Sequence, residues 1–116
     1  MPKKFALAAT EIVPLATGYG SCFASDRITV DRQRVGYMYR EEIDNALDSG
    51  WRFMAGDESD EYANNPENLG LYDVNTIANY DPSIIQFLNA PIGSAYLRDG
   101  SGELRPDPSP GLVREV

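Results

Sequence analysis

Trp51-Arg52-Phe53-Met54-Ala55, preceded by Asp48-Ser49-Gly50 as a turn, carries apolar groups at both parities of a two-residue alternation. A strand with apolar side chains on both faces suits the middle of a sheet better than its edge. Upstream, Val35-Gly36-Tyr37-Met38-Tyr39-Arg40 reads as a second strand. Val35, Tyr37 and Tyr39 share one face of it, and Gly36, Met38 and Arg40 the other. The β-branched run Ile28-Thr29-Val30 predicts its hairpin partner, with Asp31-Arg32-Gln33-Arg34 as the polar turn. Further back, Thr17-Gly18-Tyr19-Gly20 is a loop leading into a short strand at Cys22-Phe23-Ala24. Phe5 to Ala9 suits either a short helix or a strand, and Pro14 ends it.

Downstream, Asp73 is placed to cap a helix whose apolar positions Val74, Ile77 and Ala78 fall at i, i+3 and i+4. Asp81-Pro82 repeats the device ahead of Ile84, Ile85, Phe87 and Leu88, and Pro91 closes that second helix. Ile92 to Arg98 predicts another strand and Asp99-Gly100-Ser101-Gly102 a turn, followed by a loose tail carrying Pro106, Pro108 and Pro110. No strand–helix–strand rhythm is present. The expected fold is therefore α+β, a mainly antiparallel sheet with two short helices packed on it. The expected organisation is a partly ordered N-terminal extension over residues 1–20, a domain over 21–98, and a hairpin turn with proline-rich tail over 99–116.

Composition narrows the chemistry. At 116 residues the chain is one domain's worth. A single cysteine, Cys22, excludes an intrachain disulfide and a cysteine-only metal site, and with no histidine to activate it Cys22 reads as a small core residue. The absence of histidine removes Ser-His-Asp and Cys-His catalysis and histidine-ligated zinc. From Asp57, a calcium loop would require glycine at its sixth position and glutamate at its twelfth. Tyr62 and Asn68 stand there instead. Gly18-Tyr19-Gly20 lacks the rest of a phosphate-binding loop. Adjacent carboxylates such as Glu41-Glu42 lie in polar surroundings with no apolar pocket to raise a pKa. No cofactor, metal or catalytic centre is expected. No apolar run nears the ~18 residues of a membrane helix. The run Phe5 to Ala9, closed by Glu11, is too short for a signal core, so a cytoplasmic location is expected.

The net charge of -8 is unevenly distributed. Residues 1–40 carry +3 and residues 68–116 carry -3, whereas residues 41–67 alone carry -8, with nine acidic side chains against one basic. Such a field repels nucleic-acid phosphates and anionic lipid and attracts basic surfaces. One reading of the run is a solvated, solubilising face. The other is a partner-binding face formed by Glu41, Glu42, Asp44, Asp57, Glu58, Asp60 and Glu61, with Tyr39 and Tyr62 as aromatic anchors. Arg40, Arg52, Asn75, Asn79 and Asp81 support an alternative, a small-molecule or peptide-binding housekeeping module, since polar groups near aromatics can line a pocket. Each could equally cap a helix or solvate a turn.

Three segments in order, Val35-Gly36-Tyr37-Met38-Tyr39-Arg40-Glu41, Asp48-Ser49-Gly50-Trp51-Arg52-Phe53 and Asn79-Tyr80-Asp81-Pro82, carry a family resemblance. Gly56-Asp57-Glu58, Asn64-Asn65-Pro66-Glu67-Asn68 and Tyr72-Asp73-Val74-Asn75-Thr76-Ile77 lie between the last two. The series resembles the bacterial immunity protein 33 family, first catalogued as a domain of unknown function, over about residues 21–98. The resemblance implies a small, cytoplasmic α+β immunity domain of polymorphic toxin systems. Its partner would be a cognate toxin protein, bound stoichiometrically to protect the cell that makes it. It brings no catalytic residues.

Overall fold

The structure, a computed structural model, describes residues 3–107. At its centre is β3 (Asp48–Met54), with β1 (Ser21–Ser25) alongside in parallel and β2 (Tyr37–Arg40) antiparallel on the other side. The sheet extends antiparallel through β4 (Leu69–Asp73) beyond β1. On the opposite side β5 (Ala95–Arg98) pairs with β2, and β6 (Leu104–Pro106) pairs with β5. The order is β4-β1-β3-β2-β5-β6, a mixed and mostly antiparallel six-stranded sheet in an α+β fold.

One face of the sheet holds the core. Cys22 and Ala24 from β1, Met38 from β2, and Trp51 and Phe53 from β3 are fully buried there. Over them lie Val74, Ile77 and Ala78 of α3 (Val74–Tyr80), and Ile84 and Leu88 at the following 3-10 turn (Pro82–Phe87). The Asp73 carboxylate caps α3 by accepting from Asn75 N, and Asp81 caps the 3-10 turn by accepting from Ser83 N. The Trp51 indole lies at 19° to the Phe53 ring, and its Nε1 donates to the Leu88 carbonyl at 3.2 Å. A large aromatic in this position satisfies its polar atom and fixes the distance between sheet and helical layer.

Several expectations are corrected. Asp48-Ser49-Gly50 form no turn but begin β3. Ile28 and Thr29 do not form a strand. They belong to α1 (Asp26–Thr29), capped by the Ser25 hydroxyl, with Ile28 buried in the core. Local capping and burial override β-propensity there. Arg32 follows with φ of 61°, and the hairpin partner of β2 is β3. The segment after Pro82 forms a 3-10 turn and not an α-helix. The strand expected from Ile92 starts at Ala95, because Gly93 turns the chain with φ of 98° and Ile92 stays exposed. Part of the expected loose tail is β6, whose Leu104 is buried against the core; Pro108 and Pro110 lie outside the described residues. The segment Phe5 to Ala9 is largely irregular, with a short 3-10 turn over Ala9–Glu11.

Polar side chains fasten the irregular segments. Asn75 Oδ1 accepts from Leu15 N and Ala16 N, while Asn79 Oδ1 accepts from Val13 N, holding residues 13–16 against α3. Asp81 Oδ2 accepts from Val35 N at 2.9 Å and from Arg98 Nη2 at 2.8 Å, and Arg98 Nε donates to the Val35 carbonyl. This buried pair joins the 3-10 turn, the entry to β2 and the end of β5.

Because Trp51 is fully buried and packed against both layers, Trp51→Ala is expected to cost about 3–5 kcal/mol of stability. Urea denaturation of the variant beside the parent measures this, and a parent-like midpoint would contradict the packing role.

Candidate functional site

The second face of the sheet is open. Register places Phe23 opposite both Arg52 and Leu71, Tyr39 opposite Arg52, and Tyr37 opposite Leu97, so these side chains share it. Phe23 is 40%, Leu71 63% and Leu97 45% exposed. Between Phe23, Tyr39, Met54 and Leu69 the surface sinks into a hollow of about 410 Å³, closed at its rim by Glu41, Ala63 and Asn64.

Arg52 lies in this hollow. Its guanidinium stacks on the Phe23 ring at 4.9 Å, donates two fork bonds to Asp48 at 2.8 and 2.9 Å, and reaches Glu41 Oε2 at 2.6 Å. Four residues separate Asp48 from Arg52, which in a regular strand is about 13 Å. The β1 partners of this pair, Ser21 and Phe23, are only two residues apart, so β3 is bulged here. Gly50 makes the bulge possible. It takes φ of 87°, and a Cβ at this position would lie 2.5 Å from the Glu41 carbonyl. The bulge thus brings Asp48 within reach of the guanidinium. Asp48, and after it Glu41, hold the Arg52 proton more tightly than usual despite partial burial. In return the Arg52 hydrogen bond lowers the Asp48 carboxyl below its ordinary value.

The two acidic clusters sit at opposite ends of β3. Residues 41–47 join β2 to β3, with Glu42 and Asp44 exposed and Glu41 turned onto Arg52. At the other end, Asp57 pairs with Arg27 at 3.6 Å, and Arg27 covers the Tyr62 ring at 4.9 Å. Asp60 and Glu61 open α2 (Asp60–Ala63), capped by Ser59, and are exposed. Tyr39 and Tyr62 are both half-buried. Glu58 has an internal role that its neighbours in sequence do not reveal: it accepts from Ala55 N and Gly56 N at 2.8 Å. Burial alone would raise its carboxyl, but these bonds and one from Ser25 outweigh it and the net shift is downward.

The polar residues behind the pocket-lining alternative mostly serve the fold. Arg40 donates to the carbonyls of Ser49 and Ala90, and Asn75, Asn79 and Asp81 fasten the segments described above; Arg52 faces the hollow. A larger, shallow cleft of about 680 Å³ is lined by Arg34, Arg98 and Asp99 among others, but Arg34 and Arg98 donate to the Gly102 carbonyl and Asp99 takes Arg105. Cys22 is fully buried, and burial, reinforced by Asp73, pushes its thiol far above the ordinary range, which removes it as a nucleophile. Among the described residues no group of three or more acidic or thiol side chains could hold a metal ion, and no helix is long and apolar enough to cross a membrane.

A carboxyl whose pKa is depressed in the folded state stabilises above its unfolded value and loses that contribution as pH falls through the folded one. Asp48 therefore contributes fully above about pH 4 and progressively less below it. Asp48→Asn is expected to lower the melting temperature at pH 7 and to reduce the further drop on acidification. A melting series from pH 7 to strong acid, run on both proteins, measures this; parallel curves would contradict it.

Against known proteins, the chain gives one clear result. The family model described as the Immunity protein Imm33 domain matches residues 22–107, which takes in the six strands, but for Ser21 at the start of β1, and the helical layer over the core. No curated protein and no solved structure matches it. The match covers most of the chain, and the protein belongs to the Imm33 immunity-protein domain family.

Proposed function

We propose that the protein neutralises a cognate bacterial toxin by direct, stoichiometric contact, and that the acidic loops at the two ends of β3 meet that toxin. The observation that carries this reading is where the surplus charge lies. Among the described residues Glu42, Asp44, Asp60 and Glu61 are exposed and form no ion pair, Asp60 and Glu61 lying in the first turn of α2. Family membership supports an immunity role. Toxins that act on nucleic acid or anionic lipid present basic faces, and carboxylates in open loops would steer such a face and speed encounter. Inhibition by contact needs a surface and no reaction centre. Glu41 and Glu58 contribute to the field, but each also holds structure, through Arg52 and through the turn at Ala55-Gly56.

The test is a binding measurement with the toxin domain encoded beside its gene. Replacing Glu42, Asp44, Asp60 and Glu61 together by their amides is expected to leave folding nearly intact, since exposed substitutions usually stay within about 0.5 kcal/mol each. Association should slow about tenfold at low salt and less at high salt, because screening already weakens steering there. Stopped-flow rates at two ionic strengths read this out. Unchanged rates would return the acidic run to a solubilising role, and a toxin domain that forms no complex with the parent protein would end the neutralisation reading.

A further inference from the structure

We infer that the open face of the sheet, centred on Arg52, is the surface on which a basic protein partner seats, with the partner lying across β3 from one acidic loop to the other. The inference rests on the toxin-binding reading above and adds where the contact is made. Its starting point is a distance. Residues 41–47 and residues 57–61 flank a strand that its bulge shortens to about four residue rises, so about 13 Å of sheet separates them. A single partner that touches both must span what lies between.

What lies between on this side meets no helix except the end of α2, whose Ala63 reaches the rim of the hollow. The face runs from Leu71 on β4 to Leu97 on β5, four strand spacings or about 19 Å. Its flat projection is therefore of the order of 250 Å², about a third of what one partner buries in a standard interface, and the two loops are placed to supply the rest. Phe23, Leu71 and Leu97 are exposed there, and Ile43 and Leu47 are exposed on the adjoining 41–47 loop. An apolar centre with a charged rim is the usual anatomy of a protein contact.

The charge of the occupant follows from the rim. The one cation in the hollow, Arg52, is matched by two carboxylates, Asp48 and Glu41, leaving a local surplus of negative charge. Glu42 and Asp44 beyond one end, and Asp60 and Glu61 beyond the other, add to it without compensating bases. An acidic partner, nucleic acid or anionic lipid would be repelled from both ends of β3, although Arg32, Arg34 and Arg105 stand near Leu97 at the β5 side, and a second copy of this chain would bring the same charge to the loops. A basic protein face is complementary at both ends at once. Arg52 is also rigid. Held by the Asp48 fork, packed on Phe23 and itself buried, it forms a preorganised floor to the hollow under the more exposed Phe23 and Leu71.

Leu71→Lys and Leu97→Lys place a repelling cation on either side of this floor at positions already exposed, and Gln86→Lys, exposed on the helical side, is the control. Binding of each to the adjacent-gene toxin domain is measured by surface plasmon resonance, with melting curves to verify folding. Each face variant is expected to weaken binding tenfold or more, mainly through faster dissociation, and the control less than twofold. Leu71→Ser replaces Leu71→Lys if the lysine lowers the melting temperature, with weakened binding again expected. Face variants that bind like the parent, while the amide variant of the loops binds more slowly, would overturn the open-face seat and leave toxin binding intact. A parent protein that does not bind the toxin overturns both.

Discussion

The two-residue alternation of β3 is the constraint on which the rest depends. Trp51 and Phe53 point to one side and Arg52 to the other, and no local adjustment can move one without moving both. The side that takes the aromatics must be covered, which commits α3 and the 3-10 turn after it to that face. The side that takes Arg52 then needs counter-charge. Asp48 meets this need because a bulge at Gly50 shortens the strand between them, and Glu41 meets it from the hairpin. A single strand thus creates a dry face and a charged, open one.

The arginines illustrate how differently one residue type is used. Arg98 is enclosed by Asp81, Ser83 and the carbonyls of Val35 and Gly102. A buried pair so fully hydrogen-bonded costs little to keep and much to break by removing one partner. Arg40 donates to two carbonyls and lies over Trp51. Arg52 is tied as firmly and is as little exposed, but it lines the hollow on the open face, packed on Phe23. The carboxylates divide in the same way: Asp48, Glu58 and Asp81 hold backbone or guanidinium groups, whereas Glu42, Asp44, Asp60 and Glu61 face solvent. The charge most available for a partner is therefore a subset of the charge visible in the acidic run.

The sequence by itself determined the central place of the Trp51 strand, the face assignment of Tyr37, Met38 and Tyr39, the Asp73 and Asp81 caps and the α+β class. Each of these follows from local alternation or from a capping residue beside the backbone it caps. It also showed the acidic run and the segments that resemble the immunity family. Tertiary structure decided the rest. Ile28 and Thr29 became helical because Ser25 caps them and the core takes Ile28. Leu104 joined the sheet because β5 offered it an edge. Glu58 was drawn inward by two backbone N–H groups that only the turn at Gly56 presents. The open face itself brings β4, β1, β3, β2 and β5 together from distant parts of the chain. Pairings between strands far apart in sequence, and the choice of which face helices cover, are long-range decisions that no local pattern encodes.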